Sequence, residues 1–134
     1  MYLFDTDVIS HVLKKQRSAS LMARLKATPQ ASQFTSAVNV AEIYYGVFRK
    51  TGREDLLRYY ESEIFSRLTI LPFDRECAHI FGQIKADIER KGLPRFETDI
   101  QIATVAIANN LTLVSGNVRH YTGIPGLRLE NWLA

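Results

Sequence analysis

Cysteine and long hydrophobic runs are scarce in this chain of 134 residues, and their scarcity excludes several classes of protein. The single cysteine, Cys77, cannot form an internal disulfide, and no cluster of cysteine and histidine indicates a zinc site. No segment approaches the run of about 18 apolar residues that spans a bilayer. The N-terminus also lacks the basic and apolar regions of a signal peptide. We therefore expect a cytoplasmic protein without disulfides, structural zinc or membrane association.

Acidic residues are missing from one long stretch near the N-terminus. The charged residues between positions 8 and 35 are all basic, namely Lys14, Lys15, Arg17, Arg24 and Lys26. A basic surface of this kind suits the phosphates of a nucleic acid. The more common explanation for five such charges is a solvated helix face, and both interpretations stay open at this point.

Short apolar segments alternate with amphipathic ones along the chain. The segments predicted as strands are 2–4, 33–36, 68–73, 111–115 and a short edge strand at 127–130. Those predicted as helices are 6–15, 18–27, 40–50, 53–67, 74–91 and 98–108. Strands that alternate with helices form βαβ units, which predicts a three-layer α/β/α fold around a mainly parallel sheet of four to five short strands. With no linker or repeat, we expect one domain over residues 1–134.

Several acidic residues fall at one predicted edge of this sheet. Asp5 and Asp7 follow the first strand, Asp99 begins a helix at the same edge, and Glu42 lies about two turns beyond the second strand. We expect Glu42 near the buried side of its helix, because apolar residues flank it. Carboxylates gathered in one place repel each other unless a cation lies among them. Oxygen ligands favour Mg²⁺ or Mn²⁺, and such an ion suits hydrolysis of phosphodiesters. The alternative is that Asp5 and Asp7 only cap the next helix.

Motifs spread over the whole chain carry a family resemblance. They are Leu3-Phe-Asp-Thr-Asp-Val-Ile-Ser10, Val40-Ala-Glu-Ile-Tyr-Tyr-Gly46, Leu71-Pro-Phe-Asp74, Thr98-Asp-Ile-Gln-Ile-Ala103, Leu113-Val-Ser-Gly-Asn-Val-Arg-His-Tyr121 and Ile124-Pro-Gly-Leu-Arg-Leu-Glu-Asn-Trp132. In this order they resemble the PIN-domain ribonuclease toxins of the VapC type. The resemblance implies a PIN-like fold and a Mg²⁺- or Mn²⁺-dependent endoribonuclease that cleaves structured RNA, such as tRNA or rRNA. It also implies a homodimer and a VapB-type antitoxin whose C-terminal segment lies in the active-site groove.

The resemblance also assigns roles to individual residues. The catalytic and metal-binding acids are Asp5, Glu42 and Asp99. Ser115 stands where relatives have a hydroxyl that supports the first acid, and Asp7 is given an auxiliary role. Asn117 is also auxiliary, because it stands where many relatives have a fourth acid but brings no charge. This weakens the case for a second metal ion.

Four other residues are predicted to contact RNA. Three of them, Lys14, Lys15 and Arg17, belong to the basic stretch, and the fourth is His120. His120 follows Asn117 closely and has a ring that can stack on a base, although packing on the final loop is the alternative.

Two other functions remain open on sequence alone. The first is a phosphatase of the haloacid-dehalogenase type, because Leu3-Phe-Asp-Thr-Asp-Val also resembles the opening motif of that family. That family further needs a catalytic lysine and an acid pair after a later strand, and Asn117 is not such a pair. The second is an inactive PIN module that only binds RNA or a partner. The retention of Asp5, Glu42 and Asp99 argues against it.

Overall fold

A parallel sheet of five short strands forms the centre of the computed structural model, which describes residues 1–134. The strands are β1 (Tyr2–Phe4), β2 (Gln33–Ser36), β3 (Thr69–Leu71), β4 (Thr112–Val114) and β5 (Leu129–Glu130). They are ordered β3-β2-β1-β4-β5, and each neighbouring pair is parallel. The predicted parallel sheet is confirmed, and the last strand lies at an edge as expected.

Seven α-helices connect and cover the strands. They are α1 (Thr6–His11), α2 (Ala19–Ala27), α3 (Ala37–Phe48), α4 (Glu54–Tyr59), α5 (Arg75–Arg90), α6 (Glu97–Ala108) and α7 (Val118–Tyr121). None of them combines the length and hydrophobicity needed to cross a membrane. The short helix α7 was not predicted, and α1 ends four residues earlier than its apolar pattern indicated.

The region predicted as one helix over 53–67 consists of three different helical segments. After α4 the chain forms a π-helical turn (Tyr60–Ile64) and a 3₁₀ turn (Phe65–Arg67). In a regular α-helix, residues five apart point about 140° away from each other. The π turn instead brings the rings of Tyr60 and Phe65 together, with centroids 5.7 Å apart, and both side chains are buried.

The sheet is covered by helices on both faces, so that its central strands β1 and β4 each supply residues to two cores. Leu3 and Leu113 face a core that includes residues of α5 and α6, whereas Phe4 and Val114 face a core built from α1 to α4 and the C-terminal segment. Burial on both faces explains why the strands read as apolar runs rather than as alternating patterns. Each such side chain contributes about 1.5–3 kcal/mol on full burial. The three-layer arrangement is therefore confirmed.

Helices α5 and α6 are each followed by a residue in the left-handed conformation, which turns the chain towards the next element. Gly92 (φ 66°) and Asn110 (φ 55°) follow these helices in the left-handed conformation, which glycine and asparagine adopt at least cost. After the first of these turns α6 begins at Glu97, with Phe96 at the N-cap and no side-chain cap. The helix begins one residue earlier than predicted, and Asp99 lies in its first turn as expected.

The C-terminal segment packs against one face of the sheet at β1. The ring of Trp132 is 1% exposed and lies 4.8 Å from that of Tyr2 and 5.5 Å from that of Phe4. Glu130 accepts hydrogen bonds from Nε1 of Trp132 and Nη2 of Arg24, each at 2.9 Å. These contacts place the following residue, Leu133, beside the loop that leaves β4.

Candidate active site at the carboxyl edge of the sheet

Asp5 is the first residue after β1, and it is 4% exposed. Its Oδ1 accepts hydrogen bonds from N of Thr6 (2.8 Å) and Nδ2 of Asn39 (3.1 Å). Its Oδ2 accepts from Oγ of Ser115 (2.8 Å) and from the hydroxyl of Tyr121 (2.9 Å). Together these four donors fix the direction of the Asp5 carboxylate. Asp5 caps α1 and also lies among the other acids, so that capping and a site role are not exclusive.

A buried polar network holds the Asp5 carboxylate from the side of α3. Asn39 is fully buried, and its Nδ2 donates to Asp5 and also to Oγ1 of Thr6 at 3.0 Å. Ser36 caps α3 by accepting from N of Asn39 at 3.1 Å, and its hydroxyl donates to Oδ1 of Asn39 at 2.6 Å. Ser36 thus caps the helix, and Asn39 orients Asp5.

Glu42 is exposed, so the prediction that it lies near the buried side of its helix is wrong. It precedes the buried Ile43 on α3, and its side chain turns towards the site, where Oε1 accepts from Oγ1 of Thr6 at 2.7 Å. Partial burial of the carboxyl raises its pKa above the usual value. The hydrogen bond from Thr6 lowers this pKa, and the negative charges of Asp5 and Asp99 raise it further.

Asp99 lies in the first turn of α6, and its side chain is 14% exposed. Nδ1 of His120 lies 3.1 Å from its Oδ2, but the contact lacks hydrogen-bond geometry, so this buried oxygen has no hydrogen-bond donor. Burial raises the pKa of Asp99, the nearby His120 lowers it, and Asp5 raises it. Asp5, Glu42 and Asp99 therefore lie close enough to act on one another electrostatically.

Asp7 lies on α1 and contacts the loop after β4. Its Oδ2 accepts from N of Gly116 at 2.8 Å, and its Oδ1 is buried without a hydrogen-bond partner. This close approach requires glycine, because a Cβ at position 116 would lie 2.7 Å from Oδ2 of Asp7 and 2.5 Å from Cδ1 of Leu133. Burial raises the pKa of Asp7, and the charge of Asp5 adds to the effect.

The remaining predicted residues lie around this cluster. Asn117 is exposed at the start of α7, and its backbone N donates to Oγ of Ser115 at 2.9 Å. Lys14, Lys15 and Arg17 are exposed in the segment after α1. His120 is the only predicted RNA-binding residue in direct contact with one of the three acids. Sequence reasoning missed Asn39, Thr6 and Tyr121, which hold Asp5 and Glu42 in place.

The side-chain atoms that could bind a metal ion at this edge suit a hard divalent cation. All of them are oxygens, and two buried carboxylate oxygens, Oδ1 of Asp7 and Oδ2 of Asp99, have no hydrogen-bond donor. A buried carboxylate oxygen without a donor is unfavourable unless a cation or a proton compensates it. No three of the acidic, histidine or cysteine side chains come close enough to form a metal-binding group as they stand. The residues present nevertheless fit a divalent cation in charge and donor type.

Comparison with known proteins identifies the family. The PIN domain family matches residues 2–122 of the chain. The chain belongs to the PIN-domain family. A relative named ribonuclease VapC2, from Haemophilus influenzae, is 35% identical over 132 residues, which is 98% of each chain. The tRNA(fMet)-specific endonuclease VapC of Salmonella typhimurium is 37% identical over 97 residues, 72% of this chain and 73% of that one.

A solved structure also resembles this PIN domain over nearly its whole length. It is VapBC2 from Rickettsia felis bound to a DNA fragment from its promoter, with a TM-score of 0.88, 31% identity and 98% coverage of both chains. Among PIN domains the chain therefore belongs to the VapC type, and the resemblance seen in the sequence is confirmed. The haloacid-dehalogenase alternative is wrong.

The raised pKa of Asp7 predicts that its charge destabilises the metal-free protein. Its folded-state pKa lies above the unfolded value, so the cost is fully present above the folded pKa and is lost only as the pH falls below the unfolded pKa of about 4. Asp7→Asn keeps an oxygen for Gly116 but removes the charge. We expect it to raise the free energy of unfolding at pH 7 by up to about 1 kcal/mol, allowing for solvent screening, and to leave it nearly unchanged at about pH 3.

Urea unfolding in EDTA at the two pH values measures this effect. Asp55→Asn is the matched control, because the side chain of Asp55 is 75% exposed and its removal should not change stability at either pH. A variant at position 7 that is less stable than the parent at pH 7 would contradict the electrostatic description of the site.

Proposed function

We propose that this VapC-type PIN domain is the endoribonuclease toxin of a toxin-antitoxin pair, with its active site at Asp5, Glu42 and Asp99. The observation that carries the proposal is the gathering of these three acids at the carboxyl edge of a parallel sheet, where open α/β sheets bind their ligands. In a chain of this family the arrangement supports hydrolysis of RNA phosphodiester bonds. We propose that residues 1–134 act as one domain, in the cytoplasm.

We propose Mg²⁺ or Mn²⁺ as the cofactor, held by the carboxylates of Asp5, Glu42 and Asp99. When bound, such an ion activates water and neutralises charge that develops on the phosphate. The chain contributes the rest. The four donors on Asp5 fix the direction of its carboxylate, and Thr6 orients Glu42 by its 2.7 Å hydrogen bond.

The substrate that we propose is structured RNA, either tRNA or rRNA. One relative carries the name tRNA(fMet)-specific endonuclease, and the identity of 37% over most of this chain supports the same substrate class. The inactive-module alternative is not supported, because the three acids and the residues that orient two of them are all present.

Replacing the acids tests the site directly. Asp99→Asn removes a charge from the cluster with little change in shape, and we expect it to lower RNA cleavage at least roughly a hundredfold, since even residues that only support metal ligands contribute 10–100-fold. Asp5→Asn should abolish cleavage as well. It should also lower the melting temperature, because an amide group cannot accept hydrogen bonds from all the donors around Asp5.

The matched control is Glu97→Gln. Glu97 is an exposed acid two residues from Asp99, and it pairs with Lys85 at 3.5 Å rather than with the cluster. The Glu97→Gln variant should cleave RNA at the parent rate in Mg²⁺ or Mn²⁺. The parent protein itself should be inactive in EDTA. Full activity of Asp99→Asn, or cleavage that persists in EDTA, would reject the proposed site.

The basic residues after α1 are proposed to hold the RNA backbone. Lys14 and Lys15 are exposed, so their ammonium groups are free to approach phosphates. The double variant Lys14→Ala/Lys15→Ala should make the slope of log K against log salt less steep by about 1.4–1.8, the value for two lost phosphate contacts. The measurement is RNA binding in EDTA at several salt concentrations, with Arg49→Ala/Lys50→Ala, two exposed cations elsewhere, as control. Equal slopes for parent and both variants would reject the contact.

The partner that we propose is a VapB-type antitoxin, because structures of related toxins contain their antitoxins. A groove of about 610 Å³ runs between α1, α2 and the π turn, and nine of its lining residues are hydrophobic. Three cations and one acid also line it, and the acid, Glu63, pairs with Arg67 at 3.4 Å, so that Arg17 and Lys26 are the cations outside this pair. An apolar antitoxin segment that carries acids fits this combination, and we assign it to this groove.

A charge placed inside the groove tests this assignment. Met22 lines the groove, whereas the neighbouring Ala23 is exposed and does not. Met22→Glu should weaken binding of the antitoxin encoded beside this gene at least about tenfold, because a carboxylate would be buried against apolar surface. Ala23→Glu should bind like the parent in the same calorimetric titration. Equal affinities for both variants would place the antitoxin elsewhere.

The homodimer expected from the family resemblance stays a prediction. Tyr45 and Phe48, on α3, are 67% and 65% exposed, which leaves apolar surface available for a second copy of the chain. A monomeric mass by light scattering at micromolar concentration would reject the dimer.

A further inference from the structure

Phe96 is the most exposed large hydrophobic side chain of the protein, at 72%. It stands at the N-cap of α6, three residues before Asp99. A base bound on Phe96 would therefore lie at the start of the helix that carries Asp99 in its first turn.

The ring of Phe96 has one aromatic neighbour, which is also connected to the site. Its centroid lies 5.9 Å from that of His120, with the ring planes at 55°, and Nδ1 of His120 lies 3.1 Å from Asp99. Phe96 and His120 together form a shelf beside the acids, which we call the aromatic shelf. Its outer face is open to solvent, since His120 is also 44% exposed.

Arg95 connects the two segments that carry the aromatic shelf. Its guanidinium donates to the carbonyl oxygens of Pro94 and Thr122, which flank Phe96 and His120 in the sequence. On the other side, the carbonyl oxygen of Phe96 accepts from N of Ile100 at 3.1 Å and so begins α6. The backbone at Phe96 is thus held from both sides. A base that stacks there would meet a surface that needs little ordering on binding.

Two arginines near the aromatic shelf suit a nucleotide. Arg95 and Arg119 lie in the two segments that form it, and the exposed acid Glu97 is paired with Lys85. The two guanidinium groups attract the phosphates that accompany a stacked base. Bases in single-stranded loops stack on aromatic side chains in this way.

We propose that the aromatic shelf of Phe96 and His120 binds the unstacked RNA base next to the phosphate that is cleaved. This inference rests on the proposed ribonuclease function and adds the way in which the substrate is positioned. It also assigns a function to an exposed phenylalanine that has no role in the core of the protein.

Binding of defined oligonucleotides tests the proposal without cleavage. The probes are fluorescein-labelled decamers of adenylate and of abasic ribose-phosphate, with fluorescence anisotropy measured in EDTA. The parent should bind the adenylate decamer about 5- to 100-fold more tightly than the abasic one, as expected for one stacked base. Phe96→Ala should remove this preference by weakening only the adenylate complex, whereas Phe96→Trp should keep it.

Controls separate stacking from a general structural effect. Ile70→Ala removes another exposed apolar side chain, from β3, and should keep the preference for adenylate over the abasic probe. An equal loss for both probes in Phe96→Ala, or no preference in the parent, would overturn the proposal. Because binding is measured in EDTA, the result does not depend on RNA cleavage. Failure of the proposed ribonuclease function can therefore be distinguished from failure of the proposed base stacking.

A protein ligand at the same place is the competing outcome. An arginine-containing decapeptide titrated against the same variants tests it. Loss of peptide binding in Phe96→Ala, with the adenylate preference intact, would overturn the RNA assignment and give the aromatic shelf to a partner protein. Weak peptide binding that is unaffected by the variant supports the nucleotide.

Discussion

The hydrogen bonding of Asp5 is the constraint on which the arrangement of this site depends. Its four donors come from the start of α1, from α3, from the end of β4 and from α7. A carboxylate at 4% exposure is stable only when its lone pairs are satisfied, so these four segments must meet around it. The same contacts then determine where Glu42 and Asp99, which belong to α3 and α6, can lie.

The other acids of the site have fewer hydrogen-bond donors than Asp5, and this contrast fits the proposed function of the site. Oδ1 of Asp7 and Oδ2 of Asp99 are buried without a donor, and the pKa values of Asp7, Glu42 and Asp99 are all raised, mainly by burial. The protein thus holds one acid rigidly and leaves its neighbours in need of positive charge. Folded proteins accept such local instability at binding sites, where a ligand compensates it.

Much of the fold follows from local patterns that the sequence contains. The strand Gln33–Ser36 and the helix ends at Gly92 and Asn110 were predicted because apolar runs and left-handed residues have few structural alternatives. The shape of 60–67 was not, since a helical pattern does not reveal a π turn that aligns Tyr60 with Phe65. Helix α7 is a single turn of four residues, which is too short to show the helical spacing of apolar residues from which the longer helices were predicted.

The candidate site was predictable in its acids but not in the residues that position them. Asp5, Asp7 and Asp99 were indicated by their places after strands or at a helix start. The burial of Glu42 was misjudged, because the next residue, Ile43, points about 100° away around the helix. Asn39 and Tyr121 gave no such signal, since their contact with Asp5 joins positions 34 and 116 residues apart in the chain.

The central claim is that the acids at this edge bind a divalent cation, and a crystal structure of the protein soaked with Mn²⁺ tests it most directly. Anomalous scattering locates manganese independently of any assumption about the site. We predict a peak in contact with carboxylate oxygens of Asp5 and Asp99, at about 2.0–2.4 Å, with Glu42 bound directly or through water. A strong manganese peak elsewhere, with these carboxylates free of metal, would contradict the account.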